Sequence, residues 1–212
     1  MIQLQNVTKK FFKDKSLDNV SITFNKGDRV AIMGPNGAGK TTLVRVILGY
    51  YHIGSGEVRV DGYDPIKERV EVVRNIGFIP QLPPPIKLSC KELIEYVSKS
   101  SGCTQKSIID NADKMGLDIQ KQMNKSFFKL SGGMKQKLLI SIAVSKKSDI
   151  LIFDEPTANL DPKGRESFYK LLEVIKEDKI LLFITHRLDE IEHLVNRVVY
   201  MDLGKVVSDE KL

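Results

Sequence analysis

The sequence predicts an α/β fold: a mostly parallel sheet flanked by helices, an antiparallel β region at its N-terminal end, and a helical subdomain inserted into the middle. Three observations predict it. The apolar runs Val30–Met33, Ile150–Phe153 and Ile180–Ile184 are short, and each leads through a loop into a helical pattern. Between residues 89 and 145 the pattern is helical without a strand signal, and Pro80-Gln81-Leu82-Pro83-Pro84-Pro85 breaks all regularity just before it. Strand signals at Ile2–Val7 and Val20–Phe24 precede the first buried run. The division expected from this is a core of residues 1–81 and 148–212 around a helical insertion at 82–147.

In order along the chain, Ile2–Val7 reads as a strand and Lys9-Lys10-Phe11-Phe12-Lys13-Asp14-Lys15 as a loop. Two adjacent aromatics in a charged loop are unexpected, because phenylalanine normally goes inside. Either Phe11 stacks on a flat base or both rings cover the sheet edge. The strand Val20–Phe24 ends at the turn Asn25-Lys26-Gly27-Asp28. Strand Val30–Met33 then runs into Gly34-Pro35-Asn36-Gly37-Ala38-Gly39-Lys40-Thr41-Thr42 and the helical stretch Leu43–Leu48. Strand, glycine-rich loop, helix is the setting that a phosphate-binding P-loop requires, and G-x-x-x-x-G-K-[ST] is met at Gly34, Gly39, Lys40 and Thr41. Glycines let successive N–H groups curl round a polyphosphate, and the new helix points its unpaired N–H groups and positive dipole end at the same anion. Lys40 neutralises the outer phosphate oxygens, and the Thr41 hydroxyl is a ligand for Mg²⁺.

Gly54-Ser55-Gly56 opens a strand at Glu57–Val60, a charged helix covers about Ile66–Arg74, and Ile76–Ile79 is a short strand. In the insertion, Ser89-Cys90-Lys91-Glu92 fits a capping box, Thr104 caps a second helix that stops at Gly116, and a third begins near Ser131. After Ile150–Phe153, an amphipathic helix spans roughly residues 163–176. Strand Ile180–Ile184 ends at Thr185-His186, a short helix covers Ile191–Val195, and Val198–Val207 forms a hairpin around Asp202-Leu203-Gly204.

Composition bounds the function. A chain of 212 residues with 42% hydrophobic and 28% charged residues suits a globular domain, and no apolar run approaches the ~20 residues of a membrane span. No signal or transit segment is expected, so the reading is a cytoplasmic protein. The net charge of +6 is spread along the chain without a Lys/Arg block, so no nucleic-acid partner is expected. Cys90 and Cys103 lack metal-ligand spacing and read as free thiols.

Functional loops of such a sheet lie at the carboxyl ends of its strands. The phosphate loop, Asp154-Glu155 and His186 all follow strands directly, which argues that they converge. Asp154 emerges from a buried run, as an Mg²⁺-holding aspartate does. Glu155 is a second carboxylate that the metal does not need, and it reads as the group that orients or deprotonates the attacking water. His186, at the end of its strand, is either a structural histidine or a hydrogen-bond donor to a γ-phosphate, and position alone does not choose between them. Leu130-Ser131-Gly132-Gly133-Met134-Lys135-Gln136-Lys137 is a second anion-binding design, a serine cap and two glycines at an open helix start. One nucleotide already has its loop, so a second phosphate site suggests that two chains face each other.

The ordered set resembles the ATP-binding subunit of ABC transporters over essentially Ile2–Val207. Gly34–Thr42 resembles the Walker A motif, Gln81 the Q-loop, Leu130–Lys137 the signature, Ile150–Pro156 the Walker B with its glutamate, Ala158-Asn159-Leu160-Asp161 the D-loop, and His186 the switch histidine. The resemblance implies ATP and Mg²⁺ as cofactors. Phe11 would stack on adenine, while Thr41 and Gln81 ligate Mg²⁺ and Asp154 holds it through water. Glu155 would be the catalytic base, His186 the γ-phosphate sensor, and Ser131, Gly132 and Gly133 the contact to the ATP of the opposite subunit, with Asp161 linking the two sites. It implies a homodimer, or a heterodimer with a similar ATPase, sandwiching two ATP. It also implies separate transmembrane permease subunits that hold the chain on the cytoplasmic face of the membrane.

Met134 stands where the signature usually has glutamine, and Phe11 where the family often has tyrosine. The compact turn at Ile79-Pro80-Gln81 is more like exporters of the ABC-2 group than importers. A non-transport ATPase of DNA repair or translation is the alternative; the coiled-coil insertions, zinc modules or fused cassettes usual there are missing from this sequence.

Overall fold

The computed structural model describes residues 1–175 and 177–212, which divide into two compact units, Met1–Ile76 with Glu177–Leu212 and Gly77–Lys176. In the first unit, β1 (Ile2–Phe11) pairs antiparallel with β2 (Asp14–Phe24) on one side and β4 (Ser55–Val60) on the other. Alternation along β1 buries Ile2 and Leu4, then skips a residue to bury Val7. Asn6 supplies the skip: at φ 51° it takes the left-handed backbone that asparagine tolerates, and the register shifts there. Asn19, at φ 55°, makes the matching irregularity between buried Leu17 and Val20 of β2. Two bulges thus keep one apolar face on two strands whose sequence period is broken.

This corrects the loop reading of residues 9–15. The hairpin continues to the pair Phe11↔Asp14, and only Phe12-Lys13 turn. The lysines that hid the strand lie on its partly and fully exposed end. Phe12, at φ 53°, is fully exposed at the tip, so it does not cover the sheet edge.

In the same unit, β3 (Arg29–Met33) runs parallel to both β7 (Ile180–Ile184) and β8 (Arg197–Asp202), and β9 (Lys205–Lys211) returns antiparallel on β8. All five residues of β7 and the central three of β3 are buried, as the continuous apolar runs require of strands covered on both faces. The hairpin between β8 and β9 turns on Leu203 and Gly204, at φ 45° and 78°, the two successive positive values of a twist-matched tight turn. Arg197 anchors it. Its guanidinium grips both carboxylate oxygens of Asp209 at 2.7 Å and also donates to Asp28 at 2.7 Å and to the Thr23 carbonyl at 2.8 Å.

Helix α1 (Lys40–Ile47) starts at Lys40, three residues earlier than the apolar pattern suggested, and buries Leu43, Val44, Val46 and Ile47. The charged helix α2 is shorter than its pattern, Arg69–Arg74; Asp64 accepts from the N–H groups of Ile66 and Lys67 and holds residues 65–68 in turns instead. The helix expected at residues 191–195 begins earlier, as the single turn α7 (Leu188–Ile191) followed by the 3₁₀ turn Glu192–Leu194.

The second unit places β5 (Ile76–Ile79) beside β6 (Ile150–Asp154) and carries α3 (Cys90–Ser101), α4 (Gln105–Lys114), α5 (Gly132–Ser145) and α6 (Pro162–Glu173). Ser89 and Glu92 make both bonds of the capping box, Thr104 caps α4 and Ser131 caps α5, as the sequence predicts. A core of Ile94, Ile108, Ala112, Ile119, Phe127 and Leu138 joins α3, α4 and α5. Cys90 and Cys103 are buried free thiols, and burial pushes the Cys90 thiol up, so it packs as an apolar side chain. Helix α6 closes at Glu173; the far end expected for it, Lys176, lies outside the described residues.

Candidate functional site

The phosphate loop is built from β3 outward. The buried run Val30-Ala31-Ile32 fixes where the chain leaves the sheet, and Pro35-Asn36-Gly37 crosses the surface exposed. Ala38 donates to the Pro35 carbonyl at 3.1 Å, and Gly39, at φ 100°, begins α1 with no side-chain cap. The first N–H groups of α1 are therefore left to a ligand.

Two distant segments brace the loop. A Cβ on Gly39 would collide with the Ser16 carbonyl of β2, while Gly204, in the β8–β9 turn, donates to the Ala38 carbonyl at 3.1 Å. The same turn accepts from Asp18 at 2.8 Å, and Ser16 and Thr42 share a hydroxyl hydrogen bond of 2.7 Å. Neither Ser16 nor Gly204 was a sequence candidate. A turn signal marked Gly204, but nothing local pairs residue 204 with residue 38.

Lys40 folds back on its own loop and donates to the carbonyls of Gly34 at 2.6 Å and Pro35 at 2.9 Å. A polyphosphate offers that ammonium stronger, charged acceptors. Thr41 is half-buried at the helix start, a hard hydroxyl donor of the kind that Mg²⁺ takes alongside phosphate and water oxygens.

Phe11, 38% exposed, sits at the end of β1 with its ring edge-to-face on Tyr51 at 5.1 Å. In the same unit, His186 is the second residue after β7 and is exposed, and the next residue, Arg187, donates its N–H to buried Thr185 at 3.0 Å and its guanidinium to Glu190 at 2.7 Å.

The second unit holds the other candidates. Asp154 ends β6 and is 4% exposed. Glu155 follows at φ 49°, in the left-handed region where a residue with a long side chain is held only at a cost of about 1–2 kcal/mol. The buried side chain of Gln136, in α5, donates to the Pro156 carbonyl at 3.1 Å and so fixes the turn after that glutamate. Gln81 is exposed just beyond β5.

At the start of α5 the Ser131 hydroxyl accepts from Met134 at 3.2 Å, with Ser131 and Gly132 exposed and Gly133 half-buried. A Cβ on Gly133 would come within 3.1 Å of the Asn159 carbonyl, so the signature-like turn and the segment 158–161 lie against each other. Asp161 caps α6 through Gly164 at 3.2 Å and faces Lys137 of α5 at 3.5 Å. Within this unit, Ser131, Gly133, Lys137 and Asp161 are thus brought together. Among the described residues no group of three or more His, Cys, Asp or Glu side chains is arranged to hold a metal ion by itself, and no helix is long and apolar enough to cross a membrane.

Known proteins bear on this arrangement directly. The family model described as ABC transporter matches residues 17–158. The bacitracin transport ATP-binding protein BcrA of Bacillus licheniformis is 35% identical over 212 residues, covering 99% of this chain and 69% of that protein. The lantibiotic transport ATP-binding protein SrtF of Streptococcus pyogenes is 33% identical over 214 residues, all of this chain and 91% of the relative. Among solved structures, a dimeric bacterial ABC transporter cassette superposes with a TM-score of 0.86 at 28% identity, over all of this chain and 99% of that one. Its post-hydrolysis state, bound to ADP and Pi, gives 0.87 over the same extent. The fold is the P-loop NTPase fold of these cassettes, and the chain belongs to the ABC transporter family as one of its ATP-binding subunits.

Proposed function

We propose that the chain hydrolyses ATP to ADP and phosphate, that two such subunits close on two ATP, and that closure and hydrolysis drive substrate through separate membrane-spanning partners. The observation that carries this is the uncapped start of α1 under the Gly34–Lys40 loop, an anion site with its own lysine. Transport, rather than DNA repair or translation, is supported by the names of the relatives.

In the reaction, N–H groups at the start of α1 and the Lys40 ammonium hold the β- and γ-phosphates and offset the charge that develops there. Thr41 and Gln81 would ligate Mg²⁺ and Asp154 would hold it through water, and the ion would screen the phosphate charge. Glu155 accepts a proton from water as the water oxygen bonds to the γ-phosphorus and the bond to the β-phosphate oxygen breaks. The left-handed backbone fixes where that carboxylate starts. His186 donates to the γ-phosphate, and Phe11 stacks on the base. Ser131, Gly132 and Gly133 serve the nucleotide of the facing subunit, and Asp161 connects the two sites. The facing subunit is a second copy or a similar ATPase. Membrane partners hold the pair at the cytoplasmic face.

The test is steady-state ATP hydrolysis beside Glu155→Gln, with light scattering. Expected are a drop in rate of about 10²-fold or more and an ATP-stabilised dimer in the variant. A Glu155→Gln protein that hydrolyses ATP at the wild-type rate overturns the role given to this carboxylate.

A further inference from the structure

Phe11 is only 38% exposed although it lies one residue from a hairpin tip, where a ring ordinarily rotates freely. Three side chains of the first unit settle it. The Phe11 ring meets the Tyr51 ring at 5.1 Å and 77°. The Lys9 ammonium lies 4.8 Å from the centre of Phe11 and 5.6 Å from that of Tyr51. Tyr51 is fixed in turn by α1: Arg45 donates to its hydroxyl at 2.7 Å, and the guanidinium sits 5.6 Å from its ring centre. The backbone bond from Tyr50 to the Arg45 carbonyl, 2.8 Å, keeps this segment on the end of the helix.

We infer that Tyr51 is a positioning residue for base recognition: it transmits the rigidity of α1 to the Phe11 ring. The helix that presents its first N–H groups to the phosphates then also sets, through Arg45 and Tyr51, the place of the aromatic that meets the base. Lys9 covers one face of that ring, and the exposed remainder is left for a flat heterocycle. Holding the ring before binding removes the ordering cost that a mobile side chain adds to association. The inference rests on Phe11 being the stacking residue, and it assigns to Tyr51 a part in the preference for a nucleotide over a bare triphosphate.

The experiment compares ATP with inorganic tripolyphosphate as ligands of the purified chain, by calorimetry, for wild type, Phe11→Ala, Tyr51→Leu, Tyr51→Phe and the double variant Phe11→Ala/Tyr51→Leu. Phe11→Ala is expected to weaken ATP by about tenfold or more, and Tyr51→Leu by about three- to tenfold, with tripolyphosphate unchanged in both. Tyr51→Phe, which keeps the ring but loses the hydroxyl that Arg45 holds, falls between wild type and Tyr51→Leu. The double variant binds ATP no more weakly than Phe11→Ala alone, because Tyr51 acts through Phe11.

Wild-type ATP binding by Tyr51→Leu, beside a weakened Phe11→Ala, overturns the inference and leaves the stacking role standing. Wild-type binding by Phe11→Ala overturns the stacking role itself. Loss of tripolyphosphate binding in Tyr51→Leu overturns the inference by tying Tyr51 to the phosphate loop.

Discussion

A methyl group at Gly39 has nowhere to go: the Ser16 carbonyl occupies the place, and the backbone stands at φ 100°. At Gly37 the backbone is also left-handed, at φ 85°, but nothing lies within 4 Å of the position a Cβ would take. The two glycines of one motif therefore answer differently to the same substitution. Gly39→Ala must move the loop off β2 and is expected to lose detectable ATP binding in a calorimetric titration. Gly37→Ala adds only backbone strain of about 1–2 kcal/mol and retains binding within the reach of the same titration. At this scale the sequence was informative about residue types, since spacing alone selects Gly34, Gly39, Lys40 and Thr41 as a phosphate loop. It was silent on Ser16 and Gly204, which reach the loop from segments far along the chain. Tyr51 was equally silent, being an unremarkable aromatic until the fold sets it against Phe11.

Elements were legible where one period ran unbroken. The four caps at Ser89, Thr104, Ser131 and Asp161 open helices within the second unit, and three of them are plain in the sequence. Asp161 was assigned only a linking role, yet its carboxylate also starts α6. The β1–β2 hairpin was half hidden, because lysines at its exposed end and asparagines at its bulges both imitate a loop. Arg197 shows what holds such elements in place. It is 11% exposed at the side chain and satisfies Asp209, Asp28 and a carbonyl of β2 at once. Arg197→Met leaves two carboxylates without their cation and is expected to cost about 2–3 kcal/mol in urea unfolding. The Arg197 guanidinium holds the Asp209 carboxyl below the usual carboxylate range. Since the folded value is the lower one, the stabilisation is complete above the ordinary unfolded value and is lost as pH falls through the folded value. Acid titration of stability should show this loss in the wild type and not in Arg197→Met.

For the whole molecule, ligand binding and stability are one measurement. ATP at about 100 times its dissociation constant adds about 2.7 kcal/mol to the folded state, a rise of roughly 5–10 °C in the melting midpoint for a chain of this size. Lys40→Ala is expected to abolish most of that rise in a thermal melt while leaving the ligand-free midpoint nearly unchanged, because among the described residues its ammonium bonds the Gly34 and Pro35 carbonyls of its own loop. The family, and with it the ATP-binding role, was readable from six motifs in order. The membrane partner was not, because it is chosen by surfaces and not by motifs. The brace on the phosphate loop also sets a timetable for biosynthesis. The loop is complete as sequence once Thr42 has been translated, but the turn that holds the Ala38 carbonyl arrives with Gly204. At cellular elongation rates that is on the order of ten to thirty seconds later. A nascent chain therefore carries a phosphate loop without this brace throughout that interval, and nucleotide meets the braced loop only after Gly204 has been made.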